Sequence, residues 1–347
     1  MSDRRGGGEP VLLQLSRDEA RGRVRRGRGA LLVTAVSFEQ RCLATARHLF
    51  GSGDLTLLLV KYDTDVRPHS EDRALRKRHE DALVRLADGR PPLILDAPPY
   101  GMRAFIRELS RIIAETGIGS VVIDVTCLTK AHAVAVAAWA VRATADLDIL
   151  FAYTSPDAYV TEWKESEHTR SWRDVLILPI GRAPRLRRDG YARGLLLAGY
   201  EGDRTSVALS VLEPAAGAIL IADSPGRPDL RRLCERSHAA LFDRLQRIRM
   251  PLDEADALTE GWVRTVAQVD DFAAISAVVG DEVAAAARRS APIMLYPFGP
   301  KSNVLAVALQ LARDYSTASW CVYPIPLNYP VDYTRGAATT AWLVPAL

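Results

Sequence analysis

Short runs of consecutive apolar residues recur along the chain, each closed by polar residues and followed by a longer stretch with helical spacing. Ala30 to Val36 is the first, and after a break at Ser37-Phe38-Glu39-Gln40-Arg41 a helical pattern runs through Cys42, Leu43, Ala46 and Leu49. Leu55 to Val60 is a second strand and the charged segment 67–90 an exposed helix. Leu93 to Leu95 is a short strand and Met102 to Glu115 an amphipathic helix. The strongest signal is Ser120-Val121-Val122-Ile123-Asp124, then the polar turn Val125-Thr126-Cys127-Leu128-Thr129-Lys130, then an alanine-rich helix from Ala131 to Val141. Leu147 to Tyr153 closes the series. Strands apolar on both faces, alternating with helices, belong to βαβ units and a mainly parallel sheet.

Gly181 to Gly190 is rich in proline, glycine and arginine, has no apolar period and reads as a linker. The pattern then begins again. Gly194 to Gly199, Ala218 to Ala222, Pro292 to Tyr296 and Ser319 to Ile325 read as strands, with a final strand near Thr340 to Val344. Thr205 to Leu212, 229–248, 269–289 and Asn303 to Arg313 read as helices. The turns correspond as well as the elements. Phe38-Glu39-Gln40-Arg41 answers to Tyr200-Glu201-Gly202-Asp203-Arg204, Leu128-Thr129-Lys130 to Gly299-Pro300-Lys301, and the segment 153–159 to 329–333. The expected fold is therefore α/β, with two tandem Rossmann-like domains, mainly parallel sheets, and an internal duplication forming a pseudo-dimer. The expected boundaries are a flexible basic arm over 1–29, carrying Arg21, Arg23, Arg25, Arg26 and Arg28, a first repeat over 30–180, a linker over 181–192 and a second repeat over 193–347.

In a parallel sheet the turns named above share one rim, where helix N-termini and strand-end amides favour anions. Arg41, Asp124, Thr126, Thr129, Lys130, Arg204, Lys301 and Ser302 are the candidate ligand-binding residues, with Lys130 and Lys301 set against phosphate. Three blander roles stand beside these: Thr129 as an N-cap alone, Asp124 as a buried strand-end carboxylate tied to backbone, and Glu39 and Arg41 as a surface ion pair. Glu39 and Glu201 recur beside cations, as a general acid or base needs to. His132 fits a packed or exposed helix residue better than a base, Trp139 fits a core position on an apolar helix face, and His69 and His79 have no ligand spacing.

The turn Asp124-Val125-Thr126-Cys127-Leu128-Thr129-Lys130 resembles the Asp-x-Thr-Gly-Gly-Thr-Lys signature of CRISPR-associated Rossmann fold (CARF) domains, with Cys127-Leu128 where that family has Gly-Gly. The second half departs further, with Pro300-Lys301 at the corresponding turn. The resemblance covers this one turn. It implies a sensor of a nucleotide-type second messenger within an antiviral defence system, with Thr126, Thr129 and Lys130 as ligand contacts.

Composition narrows the rest. With 347 residues, 48% hydrophobic and 25% charged, the chain suits two domains of ordinary size. A net charge of +3 permits an anionic ligand and disfavours duplex nucleic acid. No run approaches the roughly 18 apolar residues of a membrane span, and no apolar signal segment follows the polar start, so a cytoplasmic protein is expected. Cys42, Cys127, Cys234 and Cys321 are scattered, which gives neither a zinc site nor a disulfide framework. The chain lacks GxGxxG after its first strand, GxxxxGK[ST], HExxH and GxSxG, so no particular cofactor is indicated. Three readings remain. The first is a binder or sensor of a nucleotide or oligonucleotide-like anion. The second is a hydrolase or transferase acting on a nucleotide-type substrate through Glu39 and Glu201. The third is an interaction module for a protein partner encoded nearby.

Overall fold

The structure is a computed structural model that describes residues 10–26, 29–50, 54–62, 70–88, 90–97, 101–143, 147–159, 172–181, 191–200, 202–247, 261–314, 316–326 and 334–346. The chain divides into two compact units, the first made of Leu12–Ser171 with Leu327–Leu347, the second containing Trp172–Pro326.

The first unit opens with β1 (Leu12–Leu15), α1 (Arg17–Arg26), β2 (Ala30–Ala35), a single 3-10 turn over Gln40–Leu43, and α2 (Ala44–Leu49). It continues through β3 (Leu55–Lys61), α3 (Ser70–Leu86), β4 (Leu93–Asp96), α4 (Met102–Thr116), β5 (Ser120–Asp124), α5 (Lys130–Arg142), β6 (Asp148–Thr154) and β7 (Ala158–Tyr159). The second unit holds β8 (Trp172–Pro179), β9 (Arg193–Ala198), α6 (Gly202–Val211), β10 (Ala216–Asp223), α7 (Pro228–Ser237) and α8 (Ala239–Arg247). After these come β11 (Trp262–Gln268), α9 (Phe272–Arg288), β12 (Ile293–Pro297), α10 (Lys301–Arg313) and β13 (Ser319–Pro326). The last two strands, β14 (Thr334–Arg335) and β15 (Thr340–Pro345), return to the first unit.

The first sheet has the order β1-β15-β6-β5-β2-β3-β4 and the second β11-β10-β9-β12-β13-β8. Five strands in each run parallel, from β6 to β4 and from β11 to β13. Taken in chain order, both parallel sets are arranged 3-2-1-4-5, the doubly wound order. Each also carries one antiparallel strand beside its last parallel strand, β15 on β6 and β8 on β13.

That antiparallel strand departs from the expected boundaries. The strand that follows the first half, β8, joins the second sheet, and the strand that ends the second half, β15, joins the first. β8 was not expected, and for β15 an apolar run shows that a strand is buried without saying which sheet it enters. The expected loose arm differs too from Leu12 onward, where β1 pairs with β15 and α1 follows. Ser16 and Glu19 form a capping box, with Ser16 N donating to Glu19 Oε2 at 2.8 Å and Glu19 N donating to Ser16 Oγ at 3.3 Å. Ala20 and Val24, one turn apart, are buried, while Arg21 donates to the His48 carbonyl and Arg23 pairs with Asp148. Arg28 lies outside the described residues. β11 was not expected, because its alternating Val263, Thr265 and Ala267 carry little apolar signal between two helical stretches.

The core follows from the runs. α1, α2 and α3 contribute Ala20, Val24, Ala46, Leu49 and Leu83 to one apolar cluster with Leu32, Leu57, Val122, Leu150 and Trp342. α5 is buried at every position from Ala131 to Ala140, so its small side chains permit close packing on all sides. α4 stops at Gly117, whose φ of 62° is the left-handed cap that glycine adopts without strain. Among the described residues no helix is long and apolar enough to cross a membrane.

Trp342 tests the return of the C-terminal strand. It is 2% exposed, and Trp342→Ala is expected to destabilise the first unit by about 3–5 kcal/mol. Urea denaturation followed by circular dichroism measures that loss.

Candidate functional site

In the doubly wound order, β2 and β5 are the strands from which the chain departs in opposite directions, and ligands of such sheets bind where they part. Their ladder ends at Val33 opposite Ile123. Beyond it the backbones diverge: Val36 N–H donates to the Val60 carbonyl on the β3 side at 2.9 Å, and Val125 N–H to the Ala152 carbonyl on the β6 side at 2.9 Å. The two loops that follow are 36–39 and 125–129, which carry Glu39, Thr126 and Thr129, with Arg41, Asp124 and Lys130 at their ends.

Asp124 closes the floor of this opening. It is 1% exposed, accepts from Thr126 N at 2.9 Å and from Thr34 Oγ1 at 3.3 Å, and so bridges the two strands. Burial raises its pKa, opposed by hydrogen bonds from Thr126 and Thr34. Thr126 is wholly buried and its Oγ1 accepts from Thr154 N at 2.9 Å. Asp124 is thus placed in the buried strand-end role that the sequence allows beside ligand binding, and Thr126, expected as a ligand contact, also supports the rim. An Asp and a Thr at a strand end satisfy backbone amides that the parting strands leave behind.

Arg41 also differs from the clamp expected of it. At 5% exposure it donates from Nη1 to the Thr154 carbonyl at 2.8 Å and from Nε to Glu39 Oε2 at 3.1 Å, and Nη2 reaches the same carboxylate oxygen. Burial works to lower its pKa, but Glu39, Tyr153 and Cys127 outweigh it and the guanidinium stays charged. Glu39 also accepts from Thr334 Oγ1, and Thr154 Oγ1 bonds Thr340 Oγ1 at 2.8 Å. Thr334 and Thr340 come from the far end of the chain, and no local pattern could have placed them here. The buried Cys42 thiol nearby is pushed up to about 12 by burial and is inert.

The N-terminus of α5 completes the rim. Thr129 caps it, its Oγ1 accepting from His132 N at 3.3 Å and meeting His132 Nδ1 at 2.6 Å, while its own N–H donates to the Tyr62 hydroxyl at 3.0 Å. Lys130 is the first residue of the helix, and both it and Thr129 are partly exposed. His132, for which the sequence leaves packed and exposed helix positions open, is packed. It is 0% exposed, set edge-on to Tyr62 and Phe105 at centroid distances of 5.1 and 4.8 Å, and burial lowers its pKa to about 3. Thr129, Lys130 and Glu39 are thus the first-unit candidates that are partly exposed.

The second unit has the same strand order but other chemistry at its rim. Arg204 Nη2 donates to the Pro324 carbonyl at the end of β13 at 3.1 Å, as Arg41 does to the end of β6, but its guanidinium lies over Tyr323 and Phe298 at 4.7 and 5.8 Å. Here the parting strands stay joined: Phe298 N–H donates to the Leu197 carbonyl at 2.9 Å. A Cβ on Gly199 would come within 2.2 Å of the Phe298 carbonyl oxygen, so glycine is required by the close approach. Pro300 caps α10 and has no N–H to offer. Lys301 is partly exposed, whereas Ser302 is wholly buried beside Asp270, whose raised pKa reflects burial opposed by that hydroxyl. Ser302 therefore faces inward instead of toward a ligand. Glu201 and the segment 329–333 lie outside the described residues.

Among the described residues no group of three His, Cys, Asp or Glu side chains could hold a metal ion. No family model matches the chain. No curated protein matches it significantly. Among solved structures it is similar to MurG of Acinetobacter baumannii at 12% identity, over 84% of this chain and 86% of that one, with a TM-score of 0.23. A likeness of that size carries no argument for this chain.

The buried imidazole predicts an acid limb. Because the folded pKa of His132 is about 3, the unfolded chain binds its proton first as pH falls. The stability that depends on the neutral ring is complete above the ordinary histidine pKa of about 6.5 and declines at up to about 1.4 kcal/mol per pH unit below it. Asp124 acts in the opposite sense, since a raised carboxyl pKa costs stability as pH rises. His132→Leu is expected to flatten the difference in urea stability between about pH 6 and 4. An unchanged slope would contradict the assignment.

Proposed function

We propose that the rim of the first unit binds a nucleotide or oligonucleotide-like anion, and that the protein acts as a sensor of that ligand. The observation that carries this reading is the opening between β2 and β5, with the capped N-terminus of α5 and Lys130 beside it. Helix dipole, backbone amides and one ammonium converge there on a negative charge. Lys130 neutralises phosphate and Thr129 orients it, while Asp124, Thr126 and Arg41 hold the two loops in place. The likeness of 124–130 to the CARF turn supports a second-messenger ligand and a role in prokaryotic antiviral defence in the cytoplasm. The matching strand orders and the Arg41 and Arg204 bonds to equivalent strand ends support an origin by internal duplication.

A thermal-shift screen with mono-, di- and cyclic oligonucleotides, with and without magnesium, tests the reading. Ligand at 100 times its dissociation constant stabilises by about 2.7 kcal/mol, a readily measured rise in Tm. Lys130→Glu is expected to abolish the shift. A screen in which no compound moves the melting temperature would count against it.

Hydrolysis or transfer at the same rim is the second reading, favoured by the part-exposed Glu39 carboxylate held by Arg41. Glu39→Gln separates the two. A sensor keeps its ligand-dependent shift, whereas an enzyme loses turnover of the compound that the screen identifies. A shift produced only by a protein partner would favour the interaction module.

A further inference from the structure

The anion-binding reading of the first rim leaves one contact unexplained. Thr129 uses its hydroxyl to cap α5, but its own N–H, at the mouth of the rim, is met from another element altogether by the phenol oxygen of Tyr62, just past the end of β3. A neutral phenol is a modest acceptor. An anionic oxygen in the same place makes a shorter bond, roughly twice as strong.

Behind Tyr62 lies a second unmet group. His132 Nδ1 is engaged with Thr129 Oγ1, but Nε2 is fully buried and has no hydrogen-bond partner among the described residues. Tyr62 and Phe105 cover the ring edge-on. A buried polar atom without a partner is destabilising, and a movement of Tyr62 opens one side of that cover. The same displacement therefore gives the Thr129 amide a better acceptor and gives His132 access to a polar partner.

We propose that Tyr62 is the ligand-responsive residue of this rim: its hydroxyl holds the acceptor position at the N-terminus of α5 until an anionic oxygen of the ligand displaces it. This rests on the anion-binding reading above. Tyr62 is in this account a placeholder that competes with the ligand. Its removal strengthens binding, where removal of an ordinary contact weakens it.

Tyr62→Phe keeps the ring and deletes the competing oxygen. The full-length chain and this variant are titrated with inorganic pyrophosphate by calorimetry, and exchange of the Thr129 amide is followed by NMR with and without the probe. The variant is expected to bind about 2- to 10-fold more tightly, the span of one net hydrogen bond. Its Thr129 amide should exchange fast alone and slowly with pyrophosphate. Equal or weaker binding by the variant overturns the proposal, because it makes Tyr62 a latch or a contact. If Lys130→Glu still abolishes binding in that case, the anion site stands and only the role of Tyr62 falls. If neither protein binds and the amide of the variant remains unprotected, the anion site fails and the role of Tyr62 with it.

Discussion

A parallel sheet collects its strand-end amides and its helix N-termini along one edge, and where the outgoing chains part company those groups lose the neighbours that the ladder had supplied. Everything particular to this protein is an answer to that one constraint. In the first unit the answer is side chains: Asp124 takes the Thr126 amide, Thr126 takes the Thr154 amide, Arg41 gives to the Thr154 carbonyl, and Tyr62 takes the Thr129 amide. Each satisfies one backbone group and fixes one loop relative to another. The network is costly to disturb, since deleting one member leaves a buried polar group or charge unpaired.

The second unit meets the same constraint with backbone. Phe298 continues the pairing to Leu197 past the point where β2 and β5 have already separated, and Gly199 permits the approach by having no side chain. The Arg204 guanidinium, which donates to the Pro324 carbonyl, is then covered by aromatic faces, a good environment for a buried cation. Two edges of the same strand order thus differ in the property that matters for binding, because one is open between its central strands and the other closed.

Much of the frame is legible in the sequence, for a physical reason. A strand of a parallel sheet is buried on both faces and so appears as an unbroken apolar run, and the Ala30, Leu55, Ser120 and Asp148 strands all show one. What is not legible depends on partners distant in the chain. β15 reads as a strand, yet nothing in Thr340 to Pro345 says that it pairs with Phe151 to Thr154. α1 was hidden differently: its arginines dominate the local composition, while the Ser16–Glu19 capping box and the single pair Ala20 and Val24 carry the helical signal.

The site shows the same division. Lys130 and Thr129 stand where strand, polar turn and helix place them, because an N-cap is a local property of the chain. Asp124, Thr126 and Arg41 have the residue types and turn positions of ligand contacts, yet all three are buried, Asp124 in the strand-end role that its place also allows. There a charge or hydroxyl relieves a backbone group before it can serve a ligand. The corresponding lesson of the second unit is Ser302. It follows a lysine at a strand-to-helix turn, as phosphate-binding serines do, yet it is wholly buried and its hydroxyl meets no hydrogen-bond partner among the described residues. Residue type at a turn therefore identifies the rim. Which side chains on that rim remain free for a ligand is decided by how completely the backbone beneath them has already been satisfied.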